Sequence, residues 1–119
     1  MPDLPVITTQ IIRLSATIAE VLIHADFDHG IDAETTLAGR LYGPRCPGTE
    51  TIEIAYPIRA IPAEPAHPQR RSARVVIPEP NLWEKQTPFT YVGTVEISTG
   101  GTKTADIPIE LGLRQGSEH

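Results

Sequence analysis

Apolar residues recur at every second position along most of this chain, the period of a strand with one face buried. Between Thr17 and Phe27, Ala19, Val21, Ile23, Ala25 and Phe27 fall on one side and Glu20, His24 and Asp26 on the other. Val6 to Ser15 predicts a strand before it, with Pro5 suited to a strand start. Thr35 to Tyr42 places Leu37, Gly39 and Leu41 opposite Arg40, and Thr49 to Tyr56 groups Ile52, Ile54 and Tyr56. The inward row resumes at Ala73, Val75 and Ile77, at Tyr91, Gly93, Val95 and Ile97, and at Ala105, Ile107, Ile109 and Leu111.

The punctuation between these runs is that of loops and turns. Asp28-His29-Gly30 supplies turn chemistry, Gly43 to Gly48 reads as a loop, and Thr99-Gly100-Gly101-Thr102 as a hairpin turn. Pro57 to Pro68 carries too many prolines for a central strand or a helix interior and is expected to be an extended linker or edge segment with polyproline character. About seven short strands with turns between them predict an all-β fold, an immunoglobulin-like antiparallel β-sandwich formed by one domain over residues 1–119. The antibody spacing of Cys, Trp and Cys is missing, so the expectation is of the broader sandwich class.

Composition narrows the partners. At 119 residues the chain can bury a core without staples, and its single cysteine, Cys46, forms no internal disulfide. A net charge of -5 argues against nucleic acid as a partner, and the short cluster from Gln69 to Arg74 reads as a solvated loop. With no apolar run near ~20 residues, no membrane span is expected.

Candidate chemistry is sparse. Asp26, Asp28, Asp32 and Glu34, with His24 and His29 nearby, are rich in oxygen ligands but lack the spacing of a calcium loop, so a polar turn is expected there. No histidine pair with cysteine partners has zinc-site spacing, and no Gly-x-Ser-x-Gly elbow is present. Cys46 beside Arg45 reads as an inert loop thiol. Glu79 and Glu84 flank the only tryptophan, but a surface loop offers no deep pocket to raise one carboxyl's pKa. No catalytic residue, cofactor or metal is therefore expected.

The stretch from Pro78 to Ile97 carries a resemblance. Pro80-Asn81-Leu82-Trp83, Pro88 five residues on, Tyr91 and then Val95 resemble a signature of the immunoglobulin-like domain of family 2 glycoside hydrolases, the β-galactosidase, β-glucuronidase and β-mannosidase group. The closing Asp106 to Arg114 is similar to the end of that domain, where an aromatic-Gly-x-Arg sequence leads into the catalytic barrel. Thr90, Glu84-Lys85 and Leu111 depart from the family pattern. The barrel that carries the family's two catalytic glutamates has no counterpart in these residues. The resemblance thus implies a non-catalytic accessory module, with neighbouring domains or a protein as partner. Trp83 and Tyr91 are then expected to anchor the core and loop. The alternatives are a carbohydrate-binding module, with exposed Trp83 or Tyr42 stacking on a sugar ring, and an assembly or adhesion domain pairing through a sheet edge.

Overall fold

The alternation of the sequence folds into seven strands, all paired antiparallel. They are β1 (Val6–Leu14), β2 (Ile18–Asp26), β3 (Thr35–Arg45), β4 (Ile54–Ile61), β5 (Arg70–Pro78), β6 (Thr90–Thr99) and β7 (Thr102–Leu111). The computed structural model describes residues 4–28 and 31–114, and among them there is no helix. His29 and Gly30 of the anticipated turn lie outside the described residues.

The strands form one sheet in the order β1-β2-β5-β4-β3-β6-β7. The sheet curls, so that the inward rows of β2 and β5 meet those of β3 and β6. Ala19, Val21 and Ile23, Val75 and Ile77, Leu37 and Leu41, and Val95 and Ile97 share one buried cluster. This is the row expected from the sequence. Burial of nine side chains larger than alanine to under 2 % exposure supplies the driving force that a domain without a disulfide requires.

β4 is the hinge of the curl. Its residues 54–58 pair with β3 and its residues 59–61 with β5. This corrects the reading of Pro57 to Pro68 as a linker or edge segment over its first part, because a strand between β3 and β5 runs through Pro57 to Ile61, whereas residues 62–68 are outside any strand. Pro57 pairs only with Arg40 of β3, so its missing N–H costs no rung on the β5 side. The inward residues are Tyr56 and Ile58. Ile54, of the same parity, is 54 % exposed, and Ile52 lies before the strand at 88 % exposure. The sequence parity was right there, but the strand sits further along the chain than the apolar spacing suggested.

Two close approaches need glycine. A Cβ on Gly39, whose φ is +136°, would collide with the carbonyl oxygen of Thr94, and one on Gly93 with that of Arg40. These positions let the paired backbones of β3 and β6 approach closely. The β6–β7 hairpin turns through Gly100 and Gly101, with φ of 58° and 85°, the left-handed pair that a two-residue hairpin requires.

Candidate functional site

The loop from Glu79 to Phe89 joins β5 to β6 and is held at both ends. The N–H of Glu79, at φ 47°, donates to the Thr17 carbonyl at 2.9 Å. At the other end the buried Tyr91 extends its phenol back to accept a hydrogen bond from the Asn81 N–H at 3.0 Å. The Tyr91 ring packs edge-on against Tyr56, with centroids 6.0 Å apart, and burial pushes the phenol pKa up. Gly43 makes room for that ring, since a Cβ there would lie 2.5 Å from Tyr91 Cδ2.

Trp83 sits between this loop and the chain leaving β7. Its backbone N–H donates to the Leu113 carbonyl at 2.7 Å, adding a rung beyond the last regular pair of β7. The indole edge rests on Gly112, where a Cβ would come within 3.0 Å of Trp83 Cδ1. The Arg114 guanidinium lies over the ring at 4.3 Å from its centroid, a cation-π geometry. Leu113 is fully buried in the core and Leu82 packs against it. Trp83, Gly112, Leu113 and Arg114 therefore form one clamp on the segment after β7. The two stretches that carry the sequence resemblance are in direct contact at Trp83 and the residues Gly112 to Arg114. Trp83 itself is half-buried and lies outside the core cluster; its neighbour Leu82 is the residue that reaches the core.

Tyr42 is placed elsewhere. It lies on the outer face of β3, 41 % exposed. With Arg40, Arg59, Thr94 and Glu96 it lines an open depression of about 490 Å³ where β4 parts from β3. The structure does not bring Trp83 to this depression. Sequence reasoning missed Arg40 and Arg59 as site residues. Arg40 shares the outward parity of Tyr42, which was a usable signal, but Arg59 was concealed in a segment read as linker.

The other sequence candidates have structural partners. Arg70 donates to both Asp26 carboxylate oxygens at 2.7 and 3.2 Å, and these bonds hold the Asp26 pKa below its usual value. Asp32 accepts from the Glu34 N–H at 2.8 Å. The His24 ring bridges Ser72 Oγ at 2.7 Å and Gln10 Oε1 at 3.1 Å. Among the described residues no three His, Cys, Asp or Glu side chains gather into a metal-binding group. Cys46 is buried, and its neighbour Arg45 is turned onto Glu53 at 2.8 and 3.0 Å. Glu79 and Glu84 are exposed on the loop. In comparisons with known proteins, the chain matches no family model and no curated sequence.

Proposed function

We propose that this chain is a non-catalytic accessory module of the immunoglobulin-like sandwich type, with a structural and interaction role in a protein resembling family 2 glycoside hydrolases. The observation that carries the reading is the Trp83 clamp, which joins the two stretches of the resemblance and fixes the direction of the backbone at Arg114. A module that spaces or orients a neighbour needs such a rigid exit. A free tail would average the geometry away.

Two further features support the fold assignment. The continuous order β1-β2-β5-β4-β3-β6-β7 contains the neighbour sets β1-β2-β5-β4 and β3-β6-β7 of a seven-stranded immunoglobulin-like sandwich, with β4 here paired to β3 as well as to β5. The Tyr91 phenol bonded to the Asn81 backbone at the head of β6 reproduces the tyrosine corner of that class.

The test is backbone dynamics by {1H}-15N heteronuclear NOE. Gly112, Leu113 and Arg114 are expected to be as ordered as β7 in the parent and to loosen in Trp83→Ala while β2, β5 and β6 stay ordered. An exit segment already mobile in the parent would defeat the spacer role. Purified protein is expected to leave aryl-β-glycosides intact. Hydrolysis that disappears in Glu79→Gln or Glu84→Gln would overturn the non-catalytic reading.

A further inference from the structure

Half of the ten cationic side chains of this acidic chain meet a carboxylate within the fold. Among the described residues, Arg13 and Arg74 share Glu20, Arg45 meets Glu53, Arg70 meets Asp26 and Lys103 meets Asp106. Arg71 is held by backbone carbonyls and Arg114 by the Trp83 ring. Among the described residues Arg40, Arg59 and Lys85 meet neither a carboxylate nor a partner of this kind, and of these Arg40 and Arg59 both line the depression beside Tyr42.

Their placement runs against sheet energetics. Arg59 stands directly opposite Arg74 across the β4–β5 pairing, and like charges opposite one another destabilise a sheet. Glu20 already serves Arg74 at 3.1 Å and Arg13 at 4.0 Å, so Arg59 is left unneutralised. Arg40 pairs with Pro57, two residues before Arg59 on the same outward face. The three arginines thus stand on one outward face of β3, β4 and β5, Arg74 opposite Arg59 and Arg40 one step diagonal to it. Beside the first depression is a second of about 260 Å³, with Ile61, Arg74 and Val76 in its walls, and Arg59 and Pro57 line both. Locally unfavourable charge placement that the fold retains marks a functional surface.

The geometry points to a binding site for an acidic oligosaccharide on this outer face. Arg40 and Arg59 receive carboxylates on successive units, the exposed Tyr42 ring supports the apolar face of a pyranose, and Thr94 and Glu96 meet hydroxyls. The chemistry selects this class. Paired guanidinium groups favour carboxylates through charge-assisted hydrogen bonds, and an exposed phenol ring offers an apolar face with a polar tip. Strand-adding peptides bind through free backbone groups at a sheet edge, whereas this surface lies on a sheet face, over β3 and β4 at the middle of the strand order. The site uses residues separate from the Trp83 clamp and does not depend on that reading.

The experiment is amide NMR titration of the whole protein with galacturonic acid trimer, with maltotriose as the uncharged comparison and a short polyglutamate peptide as the acidic one. The trimer is expected to shift the amides of Ala38, Arg40, Tyr42 and Thr94, while maltotriose and the peptide leave them in place. Arg59→Gln is expected to weaken trimer binding about tenfold, the loss of one charge-assisted contact, while its Tm stays the same or rises. Tyr42→Ala is expected to weaken binding with the strands intact by far-UV circular dichroism. Absence of trimer shifts, equal shifts with maltotriose, equal shifts with polyglutamate, or a lowered Tm in Arg59→Gln would each overturn the proposal.

Discussion

The backbone N–H of Asn81 donates to the phenolic oxygen of Tyr91 at 3.0 Å, ten residues along the chain and across the corner where the β5–β6 loop enters the sheet. The ring below that oxygen is in the core, so one side chain ties packing to loop geometry. Tyr91→Phe keeps the ring and removes the acceptor. A loss of about 0.5–1.5 kcal/mol is expected, read as a lower urea midpoint at unchanged m-value. Tyr56 packs against the same ring with no hydrogen bond from its hydroxyl among the described residues, and Tyr56→Phe is expected to leave the midpoint nearly unmoved.

Gly93→Ala separates a packing constraint from a conformational one. Gly93 has no positive φ, yet an added Cβ would fall on the Arg40 carbonyl and within 2.9 Å of the Leu41 Cα. Both obstacles are backbone, so no rotamer change relieves them. The variant is expected to lose roughly 3 kcal/mol or more, beyond the usual range of single substitutions. At Gly101 an added Cβ meets nothing within 4 Å, but φ is +85°, and Gly101→Ala is expected to cost about 1–2 kcal/mol from left-handed strain alone. Comparing the two urea midpoints checks the distinction.

The two edges of the sheet are protected unequally. β7 carries Pro108, which pairs with Thr94 and has no N–H to offer, and the Lys103–Asp106 ion pair. β1 exposes Val6 and Ile12 and relies on the irregularity between Ile11 and Arg13. Proline and charge are devices that blunt an edge. Pro108→Thr restores a donor to β7 and is expected to increase concentration-dependent association in sedimentation velocity, with Pro108→Lys remaining monodisperse.

Strand positions and inward rows were legible because burial on one face writes a period of two into the sequence. Ala19 to Ala25 and Tyr91 to Ile97 are the clearest instances, and both rows are buried as expected. β4 was obscured because a proline argues against a central strand, and the argument fails when a strand has one partner at a time, as at Pro57. The sequence presented Trp83 as a core anchor, but its environment is made by Gly112 and Arg114, a contact between residues about thirty apart that no local pattern encodes. The opposition of Arg59 and Arg74 was likewise hidden, because cross-strand register is invisible until the pairing is known.

His24 gives the fold an acid-sensitive tie. It faces outward from β2 and is only 8 % exposed, bonded to Gln10 on β1 and Ser72 on β5. Neutral imidazole satisfies both partners: Nε2–H donates to Gln10 Oε1, and Nδ1 accepts the Ser72 hydroxyl. Burial and then the Arg70 charge lower its pKa below 6.5, outweighing the opposing pull of Asp26 and Glu64, and His67 adds to the lowering. Below pH 6.5 the unfolded chain therefore takes up the proton before the folded one does. The stability contributed by neutral His24 is complete above 6.5 and falls as pH drops through the lowered folded value. Asp26, with its pKa lowered chiefly by the Arg70 hydrogen bonds, adds a second loss only below its ordinary 3.8. Urea unfolding between pH 8 and pH 5 is expected to show declining stability in the parent and a reduced decline in His24→Gln, whose amide cannot titrate. An equal decline in the variant would remove His24 as the source, and a rise in parent stability on acidification would reverse the assigned sign.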